Sequence, residues 1–296
     1  MNNEITKFLF DNYSKKVSAV EFVAKGMFSS AYIFLDGNEE KIIRLNVDKK
    51  DFLKDKYAEK FSCNTFKVPR VLEIGEFNDK YFYAISERCI GETFDKLTLD
   101  KKRHLTPKVT NALLAIHNTD ITSCSGYGDV DVRFNGVFYT WKQSILNKEN
   151  HKIPYKWMQI FEREFFEVEL FDRYKYEMEK LLHYIPEVRY LVHGDFGFDN
   201  LIIDGDKIAG VIDWAEAKIG DFIYDIAWLD FWSADIRYSI EMKNMYSEHQ
   251  MDLSNYKERL NCYILQIGLS SMVISSHFNN KNNYAYAVSR INFLIN

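Results

Sequence analysis

Between residues 193 and 214 the chain reads HGDFGFDNLIIDGDKIAGVIDW. Two apolar runs, 201 to 203 and 207 to 212, are separated by Asp204, Gly205 and Asp206. Asp-Gly between apolar runs signals a tight β-hairpin. A hairpin brings its open ends together, so Asn200, just before the first strand, and Asp213, just after the second, are predicted to lie side by side. A carboxylate and an amide oxygen converging there suit a hard divalent cation such as Mg²⁺, which prefers oxygen ligands and takes few from the protein. Asp195, five residues before Asn200, loops back to the same end and supplies a second carboxylate for proton chemistry. Any one of these residues alone would read as a turn cap. Three at one end of one hairpin read as a site.

The chain around this stretch is long enough, at 296 residues, for one large domain or two lobes. An apolar fraction of 47% and a charged fraction of 27% are those of a globular protein. Only 4 prolines against 23 phenylalanines and 19 tyrosines argue against long disordered tracts. A net charge of -5 leaves no basic footprint for nucleic acid. Cys63, Cys89, Cys124 and Cys262 are scattered with no C-x-x-C, which disfavours a zinc site or a disulfide framework and fits a reducing cytosol. The first residues carry charges throughout and lack the apolar stretch of a signal peptide. No run approaches the ~18 apolar residues of a membrane span. The expectation is a soluble cytoplasmic protein without membrane or nucleic-acid partners.

Periodicity divides the chain in character. Residues 5 to 13 predict a short helix, and 31 to 45 a hairpin around DGNEE. Helical spacing of Phe52, Leu53, Tyr57 and Phe61 predicts a helix over 49 to 63. VPRVLEIGEFNDKYFYAISE adds two strands. Beyond Gly91 helices are predicted over 97 to 118, 155 to 184, 222 to 248 and 254 to 277, with a Gly- and Asp-rich loop over 123 to 137. A small β-rich lobe thus precedes a larger helical one, with a hinge near 86 to 91.

H-G-D-x-x-x-x-N, then a hairpin, then I-D, resembles the catalytic loop and metal-binding segment of the kinase fold. HGD in place of H-R-D and IDW in place of D-F-G make it most similar to the aminoglycoside phosphotransferase family. GDFIYDIAW after it is similar to that family's G-D-x-x-x-D-l-A segment. LVHGDFGFDN, AGVIDWAEAKIGD, VPRVLEIGEF, YTWKQSI and SGYGD resemble its branch acting on hygromycin B. The resemblance implies an α+β, two-lobed protein-kinase-like fold: a small antiparallel β-rich N-lobe at 1–88 for nucleotide, and a larger, mainly helical C-lobe at 89–296. It implies ATP, or alternatively GTP, with Mg²⁺, acting on a hydroxyl of a cationic antibiotic. A monomer or weak dimer is expected.

Carried over by residue, the resemblance makes Asp195 catalytic and Asn200 and Asp213 the Mg²⁺ ligands. His193 would brace the loop, and Asp221 and Asp225 would be scaffold. Arg44 stands where kinases carry the phosphate-binding Lys; Arg binds phosphate oxygens in a fork and keeps its charge. Strand alternation turns Lys41 to the other side with Ile43 and Leu45. Asp55 matches the acid that pairs with Arg44, and Glu59 is its competitor. Gly26, Ser29 and Ser30 lie in a phosphate-covering loop with one glycine where protein kinases have three. Adenine would sit against the backbone of Ser86 and Arg88, with Ile85 behind it. A polycationic acceptor calls for carboxylates, so Asp199, Glu216, Asp230 and Asp235 are candidates, with Asp129 and Asp131 from the Gly-rich loop. Each is more often a solvated charge. Trp228 and Trp232 suit sugar stacking, with core packing the commoner role. A kinase for another small alcohol (choline, a sugar or homoserine) and a non-catalytic nucleotide- or drug-binding module are the alternatives. Retention of Asp195, Asn200 and Asp213 together speaks against the module.

Overall fold

The computed structural model describes residues 2–26, 29–147 and 157–295. By contacts the chain forms two compact units interleaved in sequence. The first comprises Met1–Ala112, Asp131–Phe134 and Gly197–Glu216; the second comprises Leu113–Val130, Asn135–Phe196 and Ala217–Asn296.

The first unit is built on an antiparallel five-stranded sheet, in the order Val17–Lys25, Ser29–Asp36, Glu39–Asn46, Phe82–Glu87, Val71–Glu76. The predicted hairpin is there, with Asp36 paired to Glu39 and Gly37 in the left-handed region at φ +65°. Alternation assigns the faces. Ile43, Leu45, Tyr83 and Ile85 pack with Ile5 and Leu9 of the helix Asn2–Asn12. On the other face Ala84 and Val71 pack with Phe52 of the helix Lys49–Ala58. That helix starts where Asp48 accepts the N–H of Lys50 at 2.8 Å, and it passes into a single 3₁₀ turn, Glu59–Phe61. The segment Asp131–Phe134 joins this unit through Phe134, which stacks on Tyr57 with ring centroids 4.7 Å apart.

The opening stretch forms the predicted hairpin, Leu201–Asp204 with Lys207–Val211, turned at Gly205 (φ +56°). The short strand Glu92–Thr93 adds to it. Gly91, at φ +138°, allows that approach: a Cβ there would meet the carbonyl oxygen of Ile203 at 2.3 Å.

The second unit holds the antiparallel order Gly136–Phe138, Tyr127–Val130, Lys218–Gly220, Tyr190–Val192. Strands therefore occupy part of the segment expected to be a loop over 123 to 137. Its left-handed glycines, Gly126 and Gly128, disguise them in sequence. Helix Tyr256–His277 is the core, packed by Val168–Leu181, Ile223–Trp232 and Lys281–Leu294. Gly268 lets the last of these approach closely, since a Cβ would meet Ile291 at 2.5 Å.

Two expected long helices are broken. Over 155 to 184 the described residues give Trp157–Phe161 and Val168–Leu181; 155 and 156 lie outside the described residues. Between these helices the Glu167 N–H donates to the Tyr284 hydroxyl at 2.9 Å instead of to a helical carbonyl. Over 222 to 248 the helix ends at Trp232 and a second, Tyr238–Glu248, begins. Arg290 ends the first by donating to the carbonyls of Asp230, Phe231 and Ser233. Among the described residues no helix is long and apolar enough to cross a membrane.

Candidate active site

In the first unit the hairpin closes as its sequence predicts. The Ile212 N–H donates to the Asn200 carbonyl at 3.0 Å, so Asn200 and the residue that follows Ile212, Asp213, share the open end. Asn200 is buried, and its own N–H donates to the Gly197 carbonyl at 2.8 Å. Asp213 has a left-handed backbone at φ +60°, a conformation that Asp adopts more readily than most non-glycine residues and that its surroundings here hold in place.

Helix Lys49–Ala58 supplies those surroundings. Asp55 Oδ1 accepts the N–H of Trp214 at 2.8 Å, and Lys54 Nζ donates to the Ala215 carbonyl at 2.7 Å. Two peptide groups in the turn that begins at Asp213 are thus held from one helix. The other oxygen of Asp55 takes the guanidinium of Arg44 at 2.5 Å. Burial works against the charge of Arg44, but the carboxylates of Asp55, Asp213 and Asp51 outweigh it and hold its pKa above the ordinary value. Glu59 is spent elsewhere, accepting the N–H of Val71 at 2.6 Å. Lys41 binds Asp36 at 2.6 Å on the opposite face from Arg44, as alternation requires.

The remaining nucleotide-side residues fall as follows. Ser29 and Ser30 are half-buried at the start of their strand, and the Gly26 N–H donates to the Ser29 carbonyl at 2.9 Å. Ser86 pairs with Ile42, on the face of Arg44. Ile85 pairs with Ile43 and is buried against Ile5 and Leu9. Its side chain therefore lies on the opposite face of the sheet from that of Arg44. Arg88 is tied to Glu40 at 2.7 Å.

In the second unit, strand Tyr190–Val192 leads into His193, Gly194 and Asp195. The Asp225 carboxylate accepts the N–H groups of His193 and Gly194, both at 2.8 Å. The Asp195 N–H donates to His193 Nδ1 at 3.3 Å. Asp225 is therefore the scaffold expected of it, and His193 bonds within its own loop. Asp221 is fully buried and bound by Arg259 at 2.6 and 2.9 Å and by the Tyr263 hydroxyl at 2.7 Å.

The acidic candidates separate. Asp199 is exposed and Glu216 half-buried, both in the first unit; Asp235 is exposed in the second. Asp129 pairs with Lys218, and Asp131 accepts the N–H of Arg133 at 2.8 Å. Asp230 is fully buried: one oxygen accepts the N–H of Ser239 at 3.0 Å, and the other takes the Ser239 hydroxyl and Arg237. An acceptor-facing place for Asp230 is corrected to a cap on helix Tyr238–Glu248. Trp228 and Trp232 lie half-buried one turn apart, and Trp232 stacks on Tyr286 at 5.8 Å.

Sequence reasoning missed Lys54, whose partner is a backbone carbonyl 161 positions away, and the Trp214 N–H, which no side-chain pattern records. It also missed His117, a single polar residue closing the apolar run ALLAIH.

Comparison with known proteins places these features in context. The family model described as the phosphotransferase enzyme family (APH) matches residues 52–255. The chain is 30% identical to hygromycin-B 4-O-kinase of Escherichia coli, over 98% of this chain and 84% of that protein. It is 27% identical to an aminoglycoside 3'-phosphotransferase of Niallia circulans, over 54% and 56% of the two chains. Among solved structures it is similar to aminoglycoside phosphotransferase APH(4)-Ia, with a TM-score of 0.87 at 28% identity over 100% and 98% of the chains. It is similar also to a thermostable mutant of APH(4)-Ia in ternary complex with AMP-PNP and hygromycin B, with a TM-score of 0.85 at 28% identity over 99% and 98%.

Proposed function

We propose, for a chain that belongs to the phosphotransferase enzyme family, that it transfers the γ-phosphoryl group of ATP to a hydroxyl of hygromycin B and thereby inactivates the drug. The fold is the kinase-like fold of APH(4)-Ia, and the chain is an aminoglycoside phosphotransferase. The observation that carries the reading is the first-unit cluster: Asn200 and Asp213 at one hairpin end, with Arg44 held charged by Asp55.

Each group then has a task. Arg44 binds nucleotide phosphate oxygens, its fork oriented by Asp55. The loop of Ser29 and Ser30 covers the phosphates, and the backbone of Ser86 and Arg88 receives the base. Asn200 and Asp213 suit Mg²⁺ by donor chemistry, an amide oxygen and a carboxylate oxygen. When bound, Mg²⁺ offsets phosphate charge.

Asp195 accepts a hydrogen bond from the acceptor hydroxyl. As that oxygen bonds to the γ-phosphorus, the bond from phosphorus to the ADP oxygen breaks and the hydroxyl proton passes to the Asp195 carboxylate. Because the transition state is loose, orientation matters more than basicity. Asp199, Glu216 and Asp235 remain the carboxylates proposed for the ammonium groups of the acceptor. The functional division stays at residues 88 and 89, in a cytoplasmic monomer or weak dimer that binds neither membrane nor nucleic acid.

ADP release with Mg-ATP is the test, with hygromycin B, other aminoglycosides and small alcohols as acceptors. Turnover on hygromycin B is expected, with kcat lowered roughly 10²–10⁴-fold by Asp195→Asn. Turnover on a small alcohol alone replaces the acceptor. Near wild-type turnover by Asp195→Asn overturns the catalytic assignment.

A further inference from the structure

Within the second unit, a histidine that no step above uses stands one residue removed from the loop carrying Asp195. His117 ends helix Leu99–His117 and is 2% exposed. Its Nε2 lies 3.0 Å from Asp225 Oδ2, and its Nδ1 lies 2.8 Å from the Tyr246 hydroxyl. Asp225 passes the contact on, accepting the N–H groups of His193 and Gly194. Gly194 has φ +82°, and Asp195 is the next residue. Three groups in series, a phenol, an imidazole and a carboxylate, therefore end at the two peptide N–H groups that precede Asp195.

The roles follow from hydrogen-bond chemistry. Burial holds the Tyr246 phenol far above its ordinary pKa, so it keeps its proton to donate. A hydroxyl donating to Nδ1 leaves the imidazole proton on Nε2, facing the carboxylate. Asp225 Oδ2 then receives two donors, His117 Nε2–H and His193 N–H, and Oδ1 receives a third. Three fixed donors lock the carboxylate plane. Phe222 holds the far end, stacked on Tyr246 at 5.2 Å.

We propose that His117, oriented by Tyr246, is a positioning residue for Asp195, acting through Asp225 on the backbone N–H groups of His193 and Gly194. The proposal rests on Asp195 being the group that meets the acceptor hydroxyl. A purely structural His–Asp pair would lower stability without singling out this loop or kcat.

Two measurements on the full chain decide it. The first is amide hydrogen exchange of peptides covering 190–197, which needs no acceptor. Exchange is expected to rise ~10-fold or more in His117→Leu, ~3-fold in Tyr246→Phe, and little in His117→Gln, whose amide restores a donor near the Nε2 position. The second is steady-state kinetics, with kcat expected to fall ~30-fold in His117→Leu and ~3-fold in Tyr246→Phe while the nucleotide KM stays within ~2-fold. Should His117→Leu not fold, Tyr246→Phe, which loses only a hydroxyl, carries the test. Exchange over 190–197 unchanged in Tyr246→Phe, or raised equally across the whole second unit, overturns the proposal. Absence of wild-type turnover on hygromycin B, with the local exchange response intact, discards the acceptor and leaves the brace standing.

Discussion

One carboxylate in the first unit serves two masters. Asp55 holds the Arg44 guanidinium with one oxygen and the Trp214 N–H with the other. An amide in its place could still accept the N–H but would no longer oppose the cation. Asp55→Asn separates the two roles: the turn after Asp213 stays in place, while Arg44 loses its orienting charge. The expected result is ~10-fold weaker binding of Mg-ADP with the fold retained, since a charge-assisted bond is worth about twice a neutral one. Calorimetric titration checks it, and affinity equal to wild type would show that Arg44 needs no anionic partner. The Arg44–Asp55 pair was legible through the family resemblance, and the closing of the hairpin between Asn200 and Asp213 through the Asp-Gly turn and its flanking apolar runs, because those features are carried by side chains at fixed spacing. Asp230 was misplaced for the opposite reason. An acid used as a buried cap has the same letter as one facing solvent, and only the fold shows Ser239 and Arg237 around it.

At the level of elements, the hairpin is held by what docks on it. Strand Glu92–Thr93 reaches Leu201–Asp204 because Gly91 takes φ +138° and presents no Cβ to the Ile203 carbonyl. Gly91→Ala meets both obstacles, a conformation L-residues rarely adopt and a backbone atom that cannot swing aside. Loss of at least ~2 kcal/mol of stability is expected, read from urea unfolding; a loss under ~0.5 kcal/mol would mean the strand can dock another way. Strands and hairpins in the first unit were legible because apolar alternation and turn residues are local signals. The helix breaks near 162–167 and 233–237 were not. They are made by Tyr284 and Arg290, which arrive from over 50 residues away and take up backbone groups a continuous helix would have used.

At the scale of the whole molecule, the two compact units are interleaved in sequence. The first unit draws on three segments, and the hairpin of residues 201 to 211 belongs to it. The reason lies in the core. Trp214 is fully buried, with its ring 5.8 Å from Phe61 and 6.3 Å from Phe66, and the Val211 N–H donates to the Lys67 carbonyl at 2.8 Å. Phe134 covers Tyr57 and Phe61 from another segment. Residues 1–88 alone would expose Phe61, Phe66 and Tyr57 and leave Asp55 without the Trp214 N–H. Large aromatic rings contribute heavily to core burial, and a short domain has little surplus with which to lose them. A fragment of residues 1–88 is therefore expected to lack a cooperative thermal transition, although it contains all five strands of its sheet. A fragment that joins 1–112 to 197–216 through a flexible linker is expected to regain part of one. Circular dichroism melts of the two fragments compare them directly. A sharp transition in the shorter fragment would show that the sheet and its two helices are self-sufficient, and that the hairpin is only a guest on their surface.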